Sequence, residues 1–551
     1  MTSPALDTTA RPRDSASTPV GHATNLLPVP LAARVAGAAL LLGVLGDALF
    51  HENGPTGLAF PLWVGLIAVC LVSLVWRSGR AVPREAAAWL TAAFVFSCGL
   101  AWRSSDQLQA FDFLVAAGSL AMAAVALSER AALFARRLRD TVWALAAIAW
   151  RVAAGPTPLA RDLSASTDRT RWGSLARSSA RTAVIVAVVL VVFGSLLRSA
   201  DPIFANLVSL PGVDFSELLS HVLVVCFFSW ILSGWARGAL VVEPEPRRAP
   251  NGMPFSLGLL DVTATLGTLN VLFAAFVATQ LGWFFGGERF LHERTGLTAA
   301  TYARQGFFQM VWVVALVVPL LVATRAALRP SLALARRHTM LSLPVIGLLG
   351  AIIVSAVLRM RLYVHYFGMT TERFYPLVVM VWLATVLVWL SLTVLRGWGR
   401  PFVGGTVVSA LATLAALNVA DPDLIVANIN IRRTAIVLES QNPPLDLEHL
   451  ATLSGRAVAL ATQATLASPV GREGSQTRDL DDAQRCAAGA TLLKRWGPTS
   501  QARVRQTLNA PWRFWNLDDA RAVRAVAEHS AELRSLQHAA CERVRLREPH
   551  R

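Results

Sequence analysis

YPLVVMVWLATVLVWLSLTVL, residues 375–395, carries no charged side chain over its whole length. The hydrocarbon core of a bilayer takes about 20 such residues in a helix, with a range of roughly 17–25, so the stretch reads as a transmembrane span. Comparable apolar runs lie on both sides of it. One follows at 402–418, and nine precede it at 29–50, 57–76, 85–102, 108–127, 182–197, 218–236, 258–284, 306–324 and 341–358. The pattern predicts an all-α, polytopic transmembrane bundle of about eleven spans, with a small helical C-terminal domain outside the membrane.

The composition agrees, with 54% hydrophobic and 16% charged residues against roughly 25% charged in average soluble domains. The net charge of +16 is almost wholly arginine, since Lys494 is the one lysine. So basic a chain could be a nucleic-acid binder, but the placement of the arginines points to the bilayer instead. With the N-terminus inside, the inner segments hold 24 arginines and the outer loops 8, the bias expected of loops beside membrane spans. The expected location is a bacterial inner membrane, with the N-terminus cytoplasmic and the C-terminus extracytoplasmic. No nucleic-acid partner is expected.

Residues 1–28 read as a disordered cytoplasmic tail, and no cleavable signal peptide is expected, because the first apolar run leads into further spans. Spans 1–4 occupy 29–127 and spans 5–11 occupy 182–418. Between them, 128–181 reads as a cytoplasmic amphipathic segment and linker. Its apolar patch Thr141–Trp150 is bounded by Asp140 and Arg151 and is too short to cross, which predicts an interfacial helix. The tail, 419–551, reads as an extracytoplasmic helical domain, with helical spacing in Leu447–Leu466 and Ala520–Val544. Cys486 and Cys541 are the cysteines outside the spans, and in an oxidising compartment they are expected to pair.

Two polar clusters stand out. One holds Arg359, Arg361, Tyr363, Tyr366, Glu372 and Arg373, between spans 9 and 10. Arginine offers a charged fork for carboxylate or phosphate and tyrosine suits the headgroup level, so the functional reading is a site for an anionic lipid or envelope glycan, and the bland one is interfacial anchoring. The second holds Asn418, Asp421, Asp423, Asn430 and Arg432, after span 11. It lacks the glycine and terminal glutamate of a calcium-binding EF-hand loop and reads as a docking segment, with Asp423 capping a short helix. The two clusters are expected side by side, Arg361 or Arg373 pairing with Asp421 or Asp423. Acids within or near spans are Asp47, Asp112, Glu217 and Asp261, of which Asp112 is the embedded one. Such residues suggest function by default. No catalytic residue, cofactor or metal site is expected.

The stretch RMRLYVHYFGMTTERFYPLVVMVWLATVLVWLSLTVLRG (359–397) resembles a signature of the bacterial DUF4173 (DUF4153-like) membrane proteins. Further matches are GDALF with the Gly57 run (46–60), LLRSADPIF (196–204), LLDVTATLGTLNVLFAAFVATQL (259–281), GLTAATYARQGFFQ (296–309), LNVADPDLIVANINIRR (417–433), LDLEHLATLS (445–454) and WRFWNLDDAR (512–521). His449 and Arg456 depart from the family's usual residues. The resemblance implies a membrane protein without an established activity. The expected role is envelope binding, scaffolding or signalling. The alternatives are a transporter or channel, and a polyprenyl-phosphate-dependent glycosyl- or lipid-transferase.

Overall fold

The structure, a computed structural model, describes residues 26–50, 57–128, 138–164, 215–241, 256–295, 307–398, 400–436, 445–467, 476–500 and 512–547, with single positions at 182, 186, 193 and 194. Among the described residues there are 18 α-helices and no strand; the one strand-like contact is an isolated bridge between Leu257 and Leu328. The first four helices are α1 (Val29–Phe50), α2 (Ala59–Arg77), α3 (Arg84–Trp102) and α4 (Asp106–Ser128). Then come α5 (Leu138–Ala154), α6 (Thr157–Ser164), α7 (Phe215–Leu240), α8 (Leu259–Thr295), α9 (Phe307–Ala326), α10 (Leu332–Phe367), α11 (Thr371–Leu392) and α12 (Arg400–Ala420). The tail adds α13 (Pro422–Ile436), α14 (Leu447–Thr452), α15 (Ala457–Ala467), α16 (Gln476–Trp496), α17 (Leu517–Glu528) and α18 (Ser530–Arg547).

Nine of the described helices are long and apolar enough to cross a bilayer: α1–α4, α7, α8 and α10–α12. The expected span at 306–324 coincides with α9, whose described apolar part is the shorter Trp312–Ala326. The span expected at 182–197 lies outside the described residues, except for the single positions named above, as do residues 1–25. The amphipathic patch forms α5, which buries Ala144 and Ile148 against the bundle and leaves Trp143 and Trp150 71% and 75% exposed.

The bundle has two distinguishable ends. At one, Arg80 donates to the carbonyls of Leu127 and Leu240, closing the last turns of α4 and α7, and Arg237 of α7 pairs with Asp162 of α6. At the other lie the end of α1, the α3–α4 and α10–α11 turns, the start of α7 and the end of α12, joined by the contacts described below. Close helix approach depends on missing side chains, as membrane packing favours. A Cβ on Gly43 or Gly46 of α1 would meet Ser229 or Phe228 of α7.

Helix α10 departs from expectation. It runs 36 residues, or roughly 54 Å at 1.5 Å per residue, well beyond a hydrocarbon core of about 30 Å. Arg359–Phe367, expected as loop, is therefore its projecting last turns. The connection to α11 shrinks to Gly368–Thr370, with Gly368 at φ +78°.

The tail domain packs on that second end. Its core joins Val426, Leu447, Leu450, Leu453, Val458, Leu492, Trp496, Val526 and Leu533 to Met369 of the bundle. Two expected helices are each divided. Gly455, at φ +60°, separates α14 from α15, and a Cβ there would strike the Asp518 side chain. His529 separates α17 from α18. A disulfide joins Cys486 of α16 to Cys541 of α18, with Cα atoms 5.0 Å apart.

Candidate functional site

The densest buried polar constellation sits where the tail meets the bundle, and an arginine in a tight turn organises it. Helix α3 ends at Trp102, and the extended Arg103 that follows turns its guanidinium inward, leaving the residue 2% exposed. Its Nε donates to the Asn418 carbonyl at 2.7 Å. Its Nη1 reaches Asp421 Oδ2 at 2.8 Å and Asp518 Oδ2 at 3.1 Å. Asp421 is 4% exposed and Asp518 2%. One cation thus joins the α3–α4 turn, the end of the last span and the tail domain.

Local structure aims each partner. Asp421 interrupts α12 and α13 with φ +61°, a left-handed conformation that aspartate tolerates better than most residues. Its Oδ1 accepts from Leu424 N, capping α13, so the cap is Asp421 and not Asp423 as expected. Asn516 caps α17 by accepting from Asp518 N and Asp519 N, while its amide donates to the carbonyls of Leu100 and Arg103 at 2.8 and 2.9 Å. Arg456 adds a second cation to Asp421 at 2.9 Å, and Arg521 approaches Asp518 at 3.4 Å. Asp423 Oδ2 accepts from Ser454 N at 2.9 Å and from its hydroxyl.

Burial dominates the electrostatics. It pushes the Asp518 carboxyl above its ordinary value, with Arg103 opposing, and does the same to Asp423 against its two Ser454 hydrogen bonds. Burial lowers His449, and lowers Arg433 together with the nearby Arg373. Desolvating a charge is costly unless it is paired and hydrogen-bonded, which accounts for two carboxylates converging on Arg103.

The two predicted clusters are neighbours, but by other contacts than those expected. Asn430 forms a reciprocal pair with the backbone of Met369, at 2.8 and 2.7 Å, and Arg433 donates to the Val364 carbonyl. Arg373 does not pair with Asp421 or Asp423. It donates to the carbonyls of Phe367 and Gly368 and stacks over Tyr363 at 4.4 Å. The end of α10 exposes orphan carbonyls that attract a cation, and Arg103 and Arg456 hold Asp421 instead. Arg359 is buried, whereas Arg361, Glu372 and Arg432 are exposed; the Tyr366 side chain lies outside the described residues.

The acids near spans separate clearly. Asp47 pairs with His221 of α7 at 2.7 Å. Asp261 accepts from Gly258 N at the start of α8, away from the network. Asp112 is fully buried and accepts from Asn418 Nδ2 at 2.7 Å. Among the described residues no three His, Cys, Asp or Glu side chains converge as a metal site would require.

Sequence reasoning missed Arg103, Asn516 and Asp518 and set Arg456 aside. Two signals pointed to them. Arg103 is the one arginine in its short loop, and Asn516, Asp518 and Arg521 all fall within the WRFWNLDDAR motif.

Fold and site together define a polytopic helical membrane protein whose tail domain is keyed into one end of the bundle by buried charges. The family described as a domain of unknown function, DUF4153, matches residues 90–464, and the chain belongs to that family. The match spans α3 to α15 and takes in Arg103, Asp421 and Arg456; the DUF4173 grouping has no support in it. No curated protein and no solved structure matched the chain.

Proposed function

We propose that the protein is a non-enzymatic scaffold of a bacterial envelope, in which the bundle holds the tail domain rigidly at the membrane surface for binding or signalling. The observation that carries this reading is the sharing of Arg103 between Asp421 at the end of the last span and Asp518 in the tail. A tail meant only to hang from the membrane needs no such lock. The proposal places the N-terminus in the cytoplasm and the tail outside, supported by the arginine bias and by a disulfide suited to an oxidising compartment. Exposed Arg361 and Arg432 at the tail end would meet anionic lipid or envelope glycan.

The transport and transferase alternatives gain less. Asp112 is sealed against Asn418, and Asp47 is paired with His221 rather than joined to the arginine cluster. Two measurements test the scaffold. Purified protein in proteoliposomes should give no ion or proton flux above empty vesicles. Photocrosslinkers on the tail surface should trap discrete envelope components in cells, with the adducts lost in Arg103→Ala although the bundle still inserts. Flux that depends on Asp112 would overturn the reading.

A further inference from the structure

Asp112 and Asn418 leave two complementary atoms without partners. The Asn418 amide donates from Nδ2 to Asp112 Oδ1 at 2.7 Å and to the Leu414 carbonyl at 3.2 Å. Those two acceptors fix which end of the amide is nitrogen, since a flipped amide would press its oxygen against both of them. Two buried oxygens then remain unpartnered, Asp112 Oδ2 and Asn418 Oδ1. Both face the gap left by Gly99 of α3: a Cβ there would collide with Asp112 Oδ2 and stand 3.3 Å from Asn418 Oδ1. Two bare acceptors sharing one buried gap repel each other, and each orphan costs about 1–3 kcal/mol.

A single proton resolves both vacancies. We propose that Asp112 and Asn418 form a proton-binding site, in which a carboxylic acid and a carboxamide close a two-hydrogen-bond ring. The Asp112 hydroxyl at Oδ2 donates to Asn418 Oδ1 while Asn418 Nδ2 donates to Asp112 Oδ1. The ring is neutral and joins α4 to the last span without leaving a charge in the membrane, where a carboxylate is costly.

The surrounding charges are consistent with it. Arg103, from the end of α3, is the one nearby charge that would favour a carboxylate at Asp112, but its hydrogen bonds go to Asp421, Asp518 and the carbonyls of Asn418 and Val419 and none to Asp112. Tyr375 of α11 senses Asp112, Asp421 and Asp423 together and hydrogen-bonds to Ser105. Helix α7 meets α4 at the opposite end, where Trp235 donates to the Leu120 carbonyl and Arg237 is held by Asp162. There α5 also packs on α4, its own charges being Arg139, Asp140 and Arg151. Asp106, on α4 itself, is at the helix start and exposed. Asp421 and Asp518 take up Arg103 directly, with Arg456 and Arg521 at their outer sides, so a negative Asp112 would have no cation hydrogen-bonded to it. The site is separate from the scaffold reading and does not depend on it.

Infrared difference spectroscopy of the full-length protein in nanodiscs tests the proposal. At neutral pH the wild type should show a carbonyl band of a protonated carboxyl group that shifts on labelling with 13C-aspartate. Asp112→Asn should lose that band yet melt at the wild-type temperature, because the new amide donates to Asn418 Oδ1 as the acid did. Raising the pH into the alkaline range should lower the melting temperature of the wild type more than that of Asp112→Asn. Gly99→Ala should destabilise the wild type by filling the gap. An identical band in wild type and Asp112→Asn overturns the proposal. So does an Asp112→Asn protein that melts well below the wild type or fails to fold beside it, and so does the absence of an isotope-sensitive band.

Discussion

Arg103 is the residue on which the tail interface turns, because its fork reaches two carboxylates and two carbonyls from one buried position. Removing one partner of a buried ion pair costs about 3–5 kcal/mol. Arg103→Ala should therefore lower the stability of the docked tail by that order, read as earlier thermal unfolding in detergent and faster hydrogen exchange at α17. Arg103→Lys should recover little, since an ammonium cannot reproduce the planar fork. Arg103→Ala combined with Asp518→Ala should cost less than the two single changes together, as coupled neighbours do. His449 gives the tail a pH dependence whose sign is fixed. Burial holds its folded value below the ordinary 6.5, so its contribution is fully present above 6.5 and is lost as pH falls through the lowered folded value. Asp423 and Asp518 act oppositely, because their folded values are raised and their contribution grows on acidification. A pH series comparing wild type with His449→Phe should isolate the histidine: the variant should lose less stability between neutral and mildly acid pH, and equal losses would refute the assignment.

At the scale of elements, α5 illustrates what a hydrophobic pattern reveals and what it leaves open. The alternation around Thr141–Trp150 predicts a helix, and the structure shows that helix with its apolar side divided between bundle and surroundings. Ala144 and Ile148 are buried, while Trp143 and Trp150 face outward. Tryptophans at that level favour the headgroup region, so brominated lipids should quench the fluorescence of the wild type more strongly than that of a Trp143→Ser, Trp150→Ser variant. Span positions were legible because apolar length alone decides them. The ends of α10 were not. Arg336, Arg337 and His338 at one end and Arg359–Phe367 at the other are polar enough to read as loops, yet they continue the helix, because side-chain polarity does not interrupt a backbone ladder. Gly455 and Asp421 escaped detection for the opposite reason: a single left-handed residue breaks a helix without altering its periodicity. The network itself was least legible of all. Each member is an ordinary polar residue in a turn or near a helix end, and only the tertiary path brings them together.

For the molecule as a whole, the contacts define one end where the tail docks and one where Arg80 and Arg237 close the helices. Described helices start and finish alternately at those ends, α6 lying at the second and α7 beginning at the first. Reporter fusions after residues 160 and 551 should accordingly fall on opposite sides of the membrane; the same side for both would rule out the proposed topology. The disulfide gives an independent check. Cys486 and Cys541 enclose a separation of 55 residues, and closing a loop of that order stabilises by about 2–4 kcal/mol. Reductant should lower the unfolding temperature of the tail while leaving the bundle's helicity intact. The spacing of the Arg103 contacts has a consequence for how the protein is made. Arg103 precedes Asp421 by 318 residues and Asp518 by 415, so while translation is under way it is inserted long before either carboxylate exists. A nascent or truncated chain that stops short of Asp421 lacks both carboxylates that hold Arg103 at the α3–α4 turn, so the tail end of the bundle is completed only when the last segment of the chain has been made.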